Sequence, residues 1–396
     1  MDERKTVTGD DDPGTTAPRA GGAGEIRKIA INTGGGDAPG LNAVIRAIVL
    51  SARRRGWSVV GIENGYGGLL PDDPGRVIPL GADEVRGITH RGGTILGTTN
   101  RSDPFAWPVR LPDGSIEAQD RSGEIIESLR EHGIDALIAI GGDGSLDLAH
   151  RLSKRGLPVV GVPKTIDNDL CGTSLTFGFL TAVATATDAI GKLHSTAESH
   201  RRVMVVEVMG RDAGWIALYS GLAGSADVIL IPEIPFDIES VCDKIREREA
   251  AGRDFSIVCV AEGATPAGGE MVMKTVPGGG ADDQERLGGL GDLVAREIAR
   301  RTGKETRSLT LGHLQRGGQP TSYDRVISLR FGAAAVRCVA RGRFGTMVAL
   351  DPPHVRAIPL GEALANLKLV PVDGDIVMTA QRTEGSQNQG RRSSKV

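Results

Sequence analysis

Cysteine is scarce in this chain: Cys171, Cys242, Cys259 and Cys338 lie far apart and form no CxxC spacing. That pattern argues against a zinc site and for a reducing compartment. Long apolar runs are missing too, and the N-terminus carries no signal-peptide pattern, so the expected location is cytoplasmic, with no membrane partner. Neither sign of charge dominates. The 47 Lys and Arg nearly balance 50 Asp and Glu, and a net charge of −3 gives no electrostatic reason to invoke nucleic acid. Two familiar nucleotide signatures are absent as well. GxxxxGK[ST] occurs nowhere, and Gly34 and Gly36 are followed by Pro39 and Gly40, which breaks the dinucleotide spacing. Aromatic residues are only 3% of the chain.

What is abundant is glycine, 56 in 396 residues, while apolar residues still reach 39%. That combination suits an α/β protein with many ligand-facing turns better than it suits disorder. The length predicts two domains.

The most informative stretch is Ile138 to Leu170, IAIGGDGSLDLAHRLSKRGLPVVGVPKTIDNDL. Leu137–Ile140 and Val159–Val162 are short apolar runs of the kind shown by buried parallel strands. Ser145 to Arg155 fits a helix, with Gly156 as its stop. Gly141, Gly142 and Gly144 would let backbone approach a ligand, and the helix start beyond them would offer N–H groups to phosphate. Asp143 lies in that turn. Asp167 and Asp169 follow the next strand, at the edge where open parallel sheets bind ligands. Either motif alone is explained by an ordinary turn or a helix cap. Together, at successive strand ends, they point to phosphoryl transfer with a divalent metal.

The same grammar recurs along the chain. A strand at Ile26–Asn32 leads through Gly34–Gly36 into a helix with apolar residues at Leu41, Val44, Ile45, Ile48 and Val49. Trp57–Glu63 is a second strand, and RGGTILGTTNRSDPF is a glycine-rich turn whose Arg101 either faces phosphate or simply lies on the surface. Phe179–Ala197 reads as a helix and Val203–Val208 as a strand bracketed by Arg202 and Arg211, which makes an anion site plausible. Strands at Ala226–Ile231 and Ser256–Val260 follow, the second leading into Glu262. Arg307, His313 and Arg316 cluster around a later strand and turn. Ser322–Arg341 is a helix, and Thr346–Leu350 a last strand. Alternating strands and helices imply mainly parallel sheets covered on both faces.

The set GGGDAPGLNAVIR, GGTILG, GGDGS, PKTIDND, VEVMGR, AEG and LGHLQRGG, in this order from Lys28 to Arg341, resembles the phosphofructokinase family. The resemblance implies two Rossmann-like three-layer domains with the active site in the cleft between them. It implies phosphorylation of fructose 6-phosphate at the 1-hydroxyl, from ATP in many members and pyrophosphate in others, with Mg2+. Residues 26–178 with about 320–370 would form the phosphoryl-donor domain. Residues 179–319 would form the sugar-phosphate domain, with 264–289 a mobile insertion and 1–25 and 383–396 disordered tails.

By motif position, the resemblance implies that Asp167 is the general base, that Asp169 supports the metal or that base, and that Thr165 touches substrate and the transferring phosphate. Asp143 is the magnesium-linked carboxylate. Gly36, Tyr66, Arg101, Gly142, Gly144, Ser145 and Lys164 fall on the donor side. Met209, Gly210, Arg211 and Glu262 grip the sugar, and Arg202, Arg307, His313 and Arg316 its phosphate. The family's counterparts of Arg202 and Arg307 come from a neighbouring subunit, so a homodimer or homotetramer is expected. Pyrophosphate users typically read GGDD; Gly144 leaves room for a nucleotide's α-phosphate, so ATP is the expected donor. Lys164 also occurs in pyrophosphate users, which keeps that donor as the alternative. An NAD-dependent oxidoreductase lacks its spacing here, and a non-catalytic paralogue would be expected to have lost Asp167.

Overall fold

The computed structural model describes residues 25–73, 75–99, 103–276 and 284–382. The tail positions 1–24 and 383–396, Arg101, and the centre of the 264–289 segment lie outside the described residues.

Short β-branched runs build an eight-stranded sheet. Its order is His354–Pro359, Thr346–Asp351, Val159–Thr165, Ala136–Gly141, Lys28–Thr33, Ser58–Ile62 and Val77–Pro79, with Phe177–Gly178 pairing off the path. The inner strands pair in parallel, and the two edge strands run antiparallel to their neighbours. Successive side chains point to opposite faces. Ile29, Ile31, Ile138 and Ile140 pack with the helices Leu41–Arg53 and Ser322–Ala340. Ala30, Leu137, Ala139 and Val159 pack with Ser122–Glu131 and Asp143–Lys154 on the other face. The helices Leu41–Arg53 and Ser322–Ala340 approach so closely that a Cβ at Gly332 would lie 2.6 Å from the Val44 carbonyl oxygen.

The register decides where chemistry can occur. Thr33 is opposite Ile140, and Ile140 is opposite Val162. The turns leaving these three strands therefore emerge side by side: Gly34–Gly36, Gly142–Ser145, and Lys164 onward. Gly34 N–H donates to the Ile140 carbonyl at 3.0 Å, tying the first turn to the second.

A second sheet holds Val228–Leu230, Ser256–Ala261, Val203–Val208 and Thr306–Thr310, all parallel. The 22-residue helix Phe179–His200 carries the chain into it. Buried Asp324, on the helix Ser322–Ala340, accepts from Thr181 N–H at 2.7 Å and its hydroxyl at 2.6 Å, joining the two helices.

Two expectations are corrected. Within 264–289, Met273–Val276 pairs antiparallel with Gln284–Leu287, so the segment contains two paired strands where loop was expected. The C-terminal region continues past Thr346–Asp351 into the strand His354–Pro359 and a helix at Asp375–Arg382. Val370, Val377 and Ala380 pack in the core beside the second sheet, so the chain has already crossed over by residue 370.

Candidate active site

A cavity of about 840 Å³ lies at the C-terminal ends of the first sheet's inner strands, facing residues of the second sheet. That volume falls within the range of small-molecule sites. Gly36, Tyr66, Gly142, Asp143, Gly144, Ser145, Lys164, Thr165 and Asp167 line it from one side, and Met209, Arg211, His313 and Arg316 from the other. Residues 279 positions apart in sequence thus meet in one cleft, where Arg316 Nη1 donates to the Asp37 carbonyl at 3.1 Å.

The glycine turn has a specific spatial reason. A Cβ at Gly36 would sit 2.7 Å from Arg316 Nη1, so any side chain there would displace the guanidinium. Lys164 Nζ donates to the Gly36 carbonyl at 2.6 Å, which braces the turn from below. Gly142 caps the helix Asp143–Lys154, whose first turn presents unpaired N–H groups to the cavity. Around Gly144 the space is open: a Cβ would meet nothing within 4 Å.

Thr165 and Asp167 interlock. The Asp167 N–H donates to Thr165 Oγ1 at 3.1 Å, and that hydroxyl faces Asp167 Oδ2 at 3.4 Å. Burial pushes the Asp167 carboxyl above its ordinary range, with Arg316 pulling the other way. Burial, then the charges of Asp167 and Asp143, raises Asp169 to about 7. Asp169 Oδ1 is buried without a hydrogen-bond partner. Glu262 also rises to about 7, through burial and then Asp167 and Glu207. Lys164 moves down to about 8 because it is buried beside Arg316. The site therefore concentrates mutually repelling carboxylates beside a desolvated lysine.

Linkage turns these shifts into a pH dependence of folding. Asp169 and Glu262 hold protons in the folded chain that the unfolded chain releases near 3.8 and 4.5. Stability carried by them is lost as pH rises from about 4 to about 7. Lys164 acts in a higher window with the opposite sign: between about 8 and 10.5 the unfolded chain binds the extra proton, so stability rises with pH. Thermal unfolding of the unliganded protein between pH 5 and 7.5 is expected to show a smaller decline in Tm for Asp169→Asn than for the unsubstituted chain. Parallel Tm curves would refute the assignment.

Residues 28–339 match the family model for phosphofructokinase. The chain belongs to the phosphofructokinase family. It is 52% identical over 360 residues to the ATP-dependent 6-phosphofructokinase of Chloroflexus aggregans, covering 91% of this chain and 97% of that one. It is 51% identical over 348 residues to the pyrophosphate–fructose 6-phosphate 1-phosphotransferase of Amycolatopsis methanolica, covering 87% and 96%. Among solved structures, phosphofructokinase from Pichia pastoris in the T-state superposes with a TM-score of 0.73 at 32% identity, covering 88% of this chain and 36% of that longer one.

Within this phosphofructokinase fold, several expected residues stand apart from the cavity wall. Asp169, Gly210 and Glu262 lie behind it; Gly210 takes a φ of 139°, and its carbonyl accepts from Gly263 N–H at 3.0 Å. Arg202 and Arg307 sit at the N-terminal ends of their strands, the opposite edge of the second sheet from the cavity. Both bond the same oxygen, Glu305 Oε1, at 3.1 and 2.8 Å. The Arg202 Nε is buried without a partner.

Beside the expected Tyr66, the cavity also holds Asn32, Asp147 and Arg151, which motif reading missed. Asn32 Oδ1 and the Tyr66 hydroxyl line it, both buried without a hydrogen-bond partner. A polar residue inside the apolar run KIAINT was the available signal for Asn32. Burial pushes the Tyr66 phenol far above its usual range, so it stays neutral. Asp147 and Arg151, one helical turn apart, extend the wall, and the Arg151 guanidinium stacks on Phe105 at 3.8 Å. Among the described residues no three His, Cys, Asp or Glu side chains cluster as a ready-made metal site. No helix among them is long and apolar enough to cross a membrane.

Proposed function

We propose that this chain phosphorylates fructose 6-phosphate at its 1-hydroxyl with ATP, giving fructose 1,6-bisphosphate and ADP. One observation carries the reading. The turns Gly34–Gly36 and Gly142–Ser145 and the start of the turn Thr165–Asp169 border a single cavity, with Met209, Arg211, His313 and Arg316 across it. Phosphoryl transfer asks the protein mainly for positioning and for compensation of charge, and these are the parts present. Backbone N–H groups of the two glycine turns hold the donor phosphates. Asp167 takes the proton of the 1-hydroxyl as that oxygen attacks. Its raised basicity suits the task, because proton removal need only accompany the arrival of the phosphoryl group. Arg316, His313 and Arg211 hold the sugar phosphate and its reacting end.

Mg2+ fits the donor set. Asp167 and Asp169 are raised by burial, with the charge of Asp143 adding to both, and Asp169 Oδ1 has no partner. Mg2+ is commonly held by one or two carboxylates with substrate phosphates and water, so the lack of a three-residue cluster is compatible with it. When bound it would offset the charge developing on the phosphoryl oxygens. Arg202 and Arg307 serve the active site of a second copy, which makes the working unit a homodimer or homotetramer.

The donor is what divides near-equal relatives, since 52% and 51% identity accompany different donors. Space at Gly144 favours ATP, whereas Lys164 suits a terminal phosphate of either donor. The deciding assay follows fructose 1,6-bisphosphate formation from fructose 6-phosphate and Mg2+ with ATP or pyrophosphate supplied separately. Turnover with ATP alone is expected. Turnover with pyrophosphate alone would overturn the donor, and turnover with neither the reaction.

A further inference from the structure

We propose that Lys368 is a positioning residue for the turn Thr165–Asp169, and that residues 367–370 form a clasp across the cleft. The proposal deepens the function given above, because it takes that turn to be where the hydroxyl proton is removed.

The turn depends on Asn168. Its φ of 54° is left-handed, a conformation few non-glycine residues hold without support, though asparagine tolerates it better than most. Asn168 separates Asp167 from Asp169, so its backbone sets the direction in which each carboxylate points. Its side chain is buried, and its Oδ1 accepts from Thr176 N–H at 3.1 Å and from Lys368 Nζ at 2.9 Å.

The lysine is fully engaged. Besides Asn168, its ammonium donates to the Thr173 carbonyl at 2.9 Å and the Ser174 carbonyl at 3.2 Å, which uses all three N–H donors. Its backbone N–H donates to the Asp169 carbonyl at 2.7 Å, and Leu367 bridges antiparallel to Leu170. One short segment thus holds the turn by side chain and main chain together.

The same segment grips the other side of the cleft. Trp215 Nε1 donates to the Lys368 carbonyl at 2.7 Å, and the Trp215 ring lies 5.8 Å from Lys368 Nζ. Val370 N–H donates to Glu233 Oε1 at 2.8 Å, and Glu233 also accepts from Gly214 N–H at 3.1 Å. Gly214 and Trp215 open the helix that follows Met209–Arg211. The clasp therefore fixes the turn bearing Asp167 relative to the residues that face it. The ammonium holds the turn, while the backbone carbonyl of the same residue holds the start of the helix across the cleft.

The test uses the full chain with ATP and fructose 6-phosphate. Lys368→Met is expected to lower kcat about tenfold, since small misplacements of reacting groups cost rate at this scale. The KM for fructose 6-phosphate should stay within about twofold, because His313 and Arg316, on the phosphate, bond nothing in the clasp. Lys368→Arg should recover most of the lost rate, as it restores a cation and several donors. Unchanged kcat in Lys368→Met, or no recovery in Lys368→Arg, would overturn the proposal. If Lys368→Met does not fold, Trp215→Phe removes one bond of the clasp. A two- to threefold loss of kcat at constant KM supports the clasp there, and an unchanged kcat overturns it. Asp167→Asn measured alongside separates the two readings. A slow Lys368→Met with an active Asp167→Asn keeps the positioning role and moves the chemistry to Asp169. A dead Asp167→Asn with a fully active Lys368→Met keeps the base and removes the clasp.

Discussion

Asp167→Asn should lower kcat by about 10²- to 10⁴-fold, the usual contribution of a positioned general base, while the KM for fructose 6-phosphate changes little. The substitution keeps shape and the N–H bond to Thr165 Oγ1, so geometry alone does not predict a loss. What it removes is the ability to take a proton, together with one buried negative charge. The second consequence runs in the opposite direction. Asp167 is among the causes that raise Asp169 and Glu262, so its neutralisation lets both ionise at lower cost. The variant is expected to melt a few degrees higher than the unsubstituted enzyme at pH 7.5, as when an active site gives up stability for function. A rate loss with a gain in Tm is a signature that general misfolding cannot produce. A variant with near-normal kcat would remove Asp167 from the role of base.

Why some of this could be read along the chain and some could not has a physical basis. GGDG and TIDND each place their key atoms within a few residues, so local backbone rules suffice to expect a turn, a helix start and carboxylates at strand ends. Their meeting follows from strand register, since Thr33, Ile140 and Val162 are aligned neighbours. The clasp is different. Lys368 lies in an unremarkable run, LANLKLVP, 200 residues from the Asn168 it bonds, and no spacing rule connects the two. Buried Glu207 is a similar case. It sits in a strand yet accepts from Gly289 N–H at 3.0 Å and Gly291 N–H at 2.7 Å, anchoring the start of the helix Leu290–Thr302. In sequence, a glutamate in VVEVMG looks like a solvent-facing strand position. The pairing of Met273–Val276 with Gln284–Leu287 was missed because the sequence around it is glycine-rich and weakly patterned. Arg202 and Arg307 mark a different limit. They sit at the N-terminal ends of their strands, away from this cavity, so the spacing that marked them as anion ligands does not bring them to it.

The donor can be tested by a single added carboxylate. Gly144→Asp is expected to cut kcat/KM for ATP by about 100-fold or more, because juxtaposing like charges costs several kcal/mol and each ~1.4 kcal/mol is tenfold. The fold should tolerate the change. A Cβ at Gly144 meets nothing within 4 Å, and the position lies in the first turn of the helix Asp143–Lys154. An acidic side chain there is favoured by the helix dipole, so Tm should hold or rise slightly. The new carboxylate enters the cavity that Ser145 and Lys164 also line, on the side proposed for a nucleotide's α-phosphate. Pyrophosphate has no third phosphate to be repelled, and Lys164, braced on the Gly36 carbonyl at 2.6 Å, remains available to its terminal oxygens. Any pyrophosphate-dependent turnover should therefore survive the substitution or increase. Equal losses with both donors would mean that the added charge disturbs the shared phosphoryl site rather than the nucleotide's own space. Unchanged use of ATP would show that the open space at Gly144 does not select the donor, and would shift that role to Lys164.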